Sequence, residues 1–398
     1  MLITARRVLT GTAGEVFEDG AVLFDGAAIV AVGPRSEIGA QAPVGEQRLD
    51  FPESTVLPGL IDAHVHLVFD GGPDPVACLQ GRDNDALLQD MAARAEQLLS
   101  TGVTTVRDLG DRDHLVLRLS EAITAGTIAG PRIVSAATPV TPPGGHCWFL
   151  GGEVHDVAEI RHLVQRNAAA GAKVIKVMET GGGLTKGGAK SWESQFTPDE
   201  LAALVDEAHR AGLPVAAHAH GTAGIAAAVA AEVDTLEHCT WMTSDGFELR
   251  EDVLAQIVEK GIHVCPTISP NWQMLPKVFG PEKAETMFDL VRQMAEAGVR
   301  LVTGTDAGVQ RAGFTGLVSS LSFYEHLGVA RSQIIEMATV EAARALEVSD
   351  QTGKLIPGLS ADLLVVNGDP LTELGTLSAV QAVFAAGTHH EPAKPTHR

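Results

Sequence analysis

The stretch Thr55-Val56-Leu57-Pro58-Gly59-Leu60-Ile61-Asp62-Ala63-His64-Val65-His66-Leu67 constrains this chain more than any other. Pro58-Gly59 reads as a turn, and the apolar run behind it as a short strand that ends in two histidines. Side chains alternate across a strand, so His64 and His66 share one face. Paired imidazoles at a strand end supply half of a transition-metal site. Two unrelated histidines could show the same spacing by chance. What decides between these readings is whether later strands also close on ligands, and they do.

From Pro58 to about Thr352 the pattern repeats as strand then helix. Strands are predicted at Leu60–His66, Thr104–Asp108, Arg132–Ala136, Lys173–Met178, Pro214–His218, Val233–Glu237, His263–Thr267 and Arg300–Thr305. Helices are predicted between them at Asp83–Ser100, Glu153–Ala170, Thr197–Ala211, Thr222–Ala231, Ser244–Lys260 and Pro281–Ala297. Thr197-Pro198-Asp199-Glu200 carries an N-cap, a proline at the first helical position and an acid three residues on. Ala211-Gly212 and Ala297-Gly298 supply helix stops just before the next strand. No phosphate-cradling Gly-x-Gly-x-x-Gly follows the first strand. The repeat therefore predicts a (β/α)8 TIM barrel over residues 58–352 rather than an open doubly wound sheet.

The ends read differently. Residues 1–57 hold short alternating runs, with Asp25-Gly26 as a hairpin signal between two of them. These strands are too few to close a core alone. Residues 353–388 offer partners in Ala361–Val366 and Val380–Gly387, which predicts one small β-sandwich domain built from both termini. Residues 389–398 read as a disordered tail, its His389-His390 pair included.

With 398 residues the chain exceeds one ordinary domain, and 45% hydrophobic content with mean hydropathy +0.12 provides a sizeable core. A net charge of −21 argues against nucleic acid or an anionic membrane as partner. Cys78, Cys147, Cys239 and Cys265 are widely spaced, as in reduced intracellular thiols. The N-terminus lacks the apolar length of a signal peptide and no run reaches membrane-spanning length. A cytoplasmic protein acting on a small molecule is the expectation.

In a barrel of this kind chemistry sits at the C-terminal strand ends. Those ends here carry His64 and His66, Asp108, Lys176, His218 with His220, His238, Cys265 and Asp306. With these residues in view the chain resembles the amidohydrolase superfamily of metal-dependent hydrolases. The marks are Pro58–His66, Val174–Met178, His218-Ala219-His220-Gly221, Glu237-His238 and Gly304-Thr305-Asp306-Ala307. Gly144-Gly145-His146 and the run Lys176–Gly182 resemble the branch of imidazolonepropionase-like Xaa-Pro dipeptidases.

The resemblance implies a binuclear metal-dependent hydrolase acting on a carbon–nitrogen bond. His64, His66 and Asp306 would hold one divalent ion, and His218 and His238 the other. Lys176, carboxylated by CO2, would bridge the two as a carbamate, since an ammonium cannot ligate a cation. Zinc is the first expectation for the metal, although this donor set also suits Mn, Fe or Co. A water shared by the ions would lose a proton near neutral pH, with Asp306 as general base. His146 would polarise the scissile carbonyl. His220 reads as an outer residue, Asp108 as an orienting or structural acid, and Cys147, Cys239 and Cys265 as packing residues.

The expected substrate is a dipeptide or N-acyl amino acid, with Lys186, Lys190 or Arg311 as candidate partners of its carboxylate. The Gly-rich loop Gly181–Lys190 could act as a lid. The lone Tyr324 lies far from the Tyr position that related dipeptidases carry after the strand-six histidine. Alternatives are a mononuclear deaminase or cyclic-amide hydrolase of the same superfamily, and a barrel that binds without catalysis. Barrels of this kind commonly pair, so a homo-oligomer is also an expectation.

Overall fold

The chain opens with strands β1 (Leu2–Leu9), β2 (Val16–Asp25), β3 (Ala28–Pro34) and β4 (Arg48–Pro58). Eight follow: β5 (Leu60–Val65), β6 (Val103–Asp108), β7 (Arg132–Ser135), β8 (Ile175–Met178), β9 (Val215–Gly221), β10 (Thr235–Met242), β11 (His263–Cys265) and β12 (Arg300–Leu301). The last are β13 (Leu363–Asn367), β14 (Val380–Ala385) and β15 (Thr388–His390). The structure is a computed structural model and describes residues 1–12 and 14–392.

From β5 to β12 every ladder is parallel, in two sheets ordered β5-β6-β7 and β12-β11-β10-β9-β8. Parallel neighbours need crossovers, and helices such as Asn84–Ser100, Pro198–Arg210 and Pro281–Glu296 supply them. The result is a mixed α/β fold. Bridges Val140–Val177 and Val65–Ala307 tie the outer edges of the two sheets together on both sides. The Thr197–Glu200 capping box forms as its sequence predicts, and Gly212 stops that helix with φ +72°.

Two elements differ from expectation for local reasons. The eighth of the predicted barrel strands keeps ladder pairing only over Arg300–Leu301, because further on the Asp62 carboxylate takes the Thr305 amide (3.0 Å) and hydroxyl (2.6 Å). The chain still runs beside β5, with Ala63 N–H donating to Thr303 O at 2.9 Å and Asp306 N–H to His64 O at 2.8 Å. The helix expected from Ser244 starts at Glu251, since Thr243 and Gly246 close a turn of their own.

The terminal strands form one seven-stranded sheet, ordered β15-β14-β13-β4-β1-β2-β3. Laid flat, β2 and β14 would stand four strand spacings apart, about 19 Å. The Phe24 and Phe384 rings are nevertheless 5.6 Å apart, so the sheet is rolled around a shared core that includes Ile3, Val8, Val22 and Val365. The tail starts later than its sequence predicts. Thr388–His390 pair with β14 as an edge strand, and the His389 ring stacks on Phe384 at 4.9 Å. The rest of the predicted tail, from residue 393, lies outside the described residues. Phe384→Ala should cost about 3–5 kcal/mol of stability, since a large fully buried side chain leaves a cavity between two strands. Denaturant unfolding of the variant checks this.

A single residue, Gly59, links the rolled sheet to β5. A Cβ there would meet Thr104 Oγ1 at 2.0 Å, so only glycine lets β4 pass into β5. That junction fixes the strand carrying His64. Among the described residues, no helix is long and apolar enough to cross a membrane, and all four cysteines are free.

Candidate metal centre and active-site cavity

The strand ends converge as the repeat predicts. His64 sits on β5 and His66 one residue past its end, with ring centroids 5.3 Å apart, and the Asp306 Oδ1 atom lies 3.4 Å from His64 Nε2 and 3.5 Å from His66 Nε2. Ligand atoms of these three residues all fall within 4.8 Å of one another, close enough to hold one cation. His218, His220 and His238 form a second group under the same limit. His64 and His238, 5.2 Å apart between ring centroids, link the two groups.

His220 reads from sequence as an outer residue, with Gly221 marking the end of its strand. In the structure β9 runs on through Gly221, so His220 keeps the face of His218 and stacks on His238 at 4.4 Å. Among the described residues, the Asp108 carboxylate makes no ion pair. It accepts from the Leu67 and Gly110 amides at 2.7 and 3.1 Å, and Gly110 O in turn faces His66 Nδ1 at 3.3 Å. Asp108 thus orients His66 through the backbone.

The motif marks include Glu237 but give it no role, and Arg107 lies outside them. The Glu237 carboxylate accepts from His64 Nδ1 at 2.7 Å and from Arg107 at 2.7 Å. Arg107 also donates to Ala63 O at 2.8 Å. With Nδ1 engaged, His64 turns Nε2 toward Asp306, the arrangement by which an outer carboxylate fixes a ligand imidazole. Strict alternation puts Glu237 and His238 on opposite faces. His238 instead has φ +70° at a register break, and both residues reach His64. Asp306 also has φ +57°. Left-handed backbone at two site residues is the strain that collects where geometry serves function.

Burial governs the charges. It holds His64 well below the usual imidazole range, with the Lys176 charge adding to the effect, and drives His66 to about 4 for the same reasons. Burial and neighbouring imidazoles hold His218 and His238 well below that range as well. All four therefore present neutral lone pairs. The Lys176 ammonium is pushed down to about 8 by burial, and Asp306 up to about 7 by burial against the pull of Lys176. Among the described residues, Lys176 Nζ and Asp306 Oδ1 are buried without a hydrogen-bond partner. Burial pushes the Cys147 thiol up to about 12, away from nucleophile chemistry.

His146 reaches the site from its loop. Its ring centroid lies 4.6 Å from that of His218, and its Nδ1 is 3.4 Å from Thr185 Oγ1. Gly182 lies flat beneath it, where a Cβ would come within 2.5 Å of the ring. All these histidines, with Lys176 and Asp306, open onto one cavity of 420 Å³, a size that suits a small ligand. Lys186, Lys190 and Arg311 do not line it; Lys186 instead stands exposed 3.6 Å from Asp74.

Comparison with known proteins agrees with this geometry. The chain is 27% identical to ochratoxinase of Aspergillus niger, over 92% of this chain and 82% of that protein. It is 26% identical to an imidazolonepropionase of Mesorhizobium japonicum, over 89% and 88%. The crystal structure of a Xaa-Pro dipeptidase with methionine bound superposes with a TM-score of 0.85 at 29% identity, over 98% of this chain and 99% of the other. Residues 55–389 match the sequence profile described as the amidohydrolase family. The chain therefore belongs to the amidohydrolase family and is a hydrolase acting on carbon–nitrogen bonds.

Proposed function

We propose that this chain hydrolyses small carboxamides on a (β/α)8 barrel whose centre takes two divalent ions, most simply zinc, sharing a carboxylated Lys176. One observation carries this reading. Among the described residues, the Lys176 amine and an oxygen of Asp306, itself a member of the His64 cluster, are buried without a hydrogen-bond partner in the cavity that both histidine clusters line. An unpaired buried ammonium among nitrogen donors is costly. The neutral amine reacts with CO2 to give a carbamate and a proton, which turns the misfit cation into an anionic ligand. The donor set fits the implied ions.

His64, His66 and Asp306 would hold one ion, and His218 and His238, with His220 beside them, the other. Such ions supply Lewis acidity toward a carbonyl and an acidified water. The chain's own residues do the rest. Glu237 and Arg107 keep His64 in the orientation that points Nε2 inward. His146 offers a ring N–H to the carbonyl oxygen as negative charge develops on it. Asp306 accepts the proton of the attacking water and passes it to the leaving nitrogen. A C–O bond forms, the C–N bond breaks, and the products are a carboxylic acid and an amine.

Asp306→Asn keeps the size and one oxygen but cannot take the proton. Its kcat should fall on the order of 10²-fold or more. Metal content is measured on the same sample, because Asp306 is also a proposed ligand. An unchanged kcat at full metal occupancy would remove Asp306 from proton transfer.

A further inference from the structure

The cavity lining is of two kinds. The histidines, Lys176 and Asp306 supply its ionisable groups, and Leu184, Met242, Ile268, Met287, Val291 and Phe323 supply an apolar wall. These wall residues come from five separate segments: the loop after β8, the end of β10, the loop after β11, and the helices Pro281–Glu296 and Leu317–His326. The polar side chains interspersed with them, Thr240, Thr267, Ser269 and Gln310, are neutral. Among the described residues, Lys176 is the only Lys or Arg on the lining. The centre uses that residue itself.

The proposed ions face the scissile amide itself, so a free carboxylate beside that bond would reach the wall with no side-chain cation to meet it. Burying an uncompensated carboxylate is strongly unfavourable, and the net charge of −21 adds long-range repulsion. An apolar group gains from the same wall. We infer that the substrates of this chain are uncharged amides bearing a bulky alkyl or aryl group, and that free dipeptides and N-acyl amino acids are excluded. The inference rests on the hydrolase reading for the reaction, but not for the binding preference.

Two compounds that differ only in one carboxylate test it: N-phenethyl-phenylacetamide and N-phenylacetyl-phenylalanine. Binding is read separately from turnover with the ketone isosteres of both, in which CH2 replaces the amide NH so that neither can be hydrolysed. Calorimetry on the metal-replete protein should show the carboxylated ketone binding at least about 30-fold more weakly than the neutral one. Met287→Arg, which places a cation on the wall, should narrow that ratio, while the wild-type ratio decides by itself. Equal or tighter binding of the carboxylated ketone to the wild-type protein would overturn the inference. If the neutral ketone is preferred but neither amide is cut, the hydrolase reading fails and the binding preference stands.

Discussion

His64→Ala and His66→Ala should each release one ion per chain and abolish nearly all turnover while leaving the fold intact. Both histidines leave β5 on the same face, and both present Nε2 to the same Asp306 oxygen. Removing either leaves a two-ligand site. The loss should exceed the roughly 10–100-fold that follows from altering a residue that merely orients a ligand. Folding should survive because neither ring holds the barrel together. Without His64, Glu237 keeps Arg107 and Thr235 as partners, at 2.7 Å each. Without His66, the hydrogen bond to Gly110 O and the ring's packing on Phe69 are lost, but no ladder pairing of the strands depends on them. Metal analysis, circular dichroism and kcat/KM on the same preparations check the three parts together. Full activity in both variants would mean that the strand-end histidines serve no metal.

Lys176→Ala should be nearly as damaging, and differently repairable. Lys176 sits mid-strand on β8, and its amine is fully enclosed and unpartnered. Alanine keeps the strand but removes the group proposed to become the bridging anion. Activity should fall by on the order of 10²-fold or more, and short-chain carboxylates such as acetate or propionate should restore part of it by occupying the vacated space. Metal content should recover in parallel with activity. Undiminished turnover would contradict the shared-ligand role. So would a loss that no carboxylate relieves while both ions remain bound.

Much of this was legible in the sequence. Period-two alternation in Leu60–His66 correctly aligned His64 with His66, and helix caps such as Thr197 and Gly212 marked where the crossovers begin and end. What escaped depended on contacts between distant segments. Glu237 acts only because Arg107, 130 residues away in sequence, and His64 converge on it, and the left-handed backbone at His238 breaks the alternation that a sequence reading relies on. The predicted fifth barrel strand stopped at His218, whereas pairing of β9 with β10 carries it to Gly221 and keeps His220 on the face of His218. The rolling of the terminal sheet is set by parallel pairing of β1 with β4 and by Phe24 meeting Phe384. Neither leaves a local signal. His389 joins a strand for the same reason, its stacking on Phe384.

The central claim is a carbamate on Lys176 shared by two ions, and it can be observed directly. Metal-replete protein is equilibrated with bicarbonate labelled with carbon-13, and the carbamate carbon is observed by NMR alongside metal content of the same sample. The account predicts one protein-bound carbamate and about two ions per chain, with the carbamate signal absent from Lys176→Ala. A single fully occupied ion per chain beside an unmodified Lys176 would contradict it, and would favour a mononuclear hydrolase or deaminase instead.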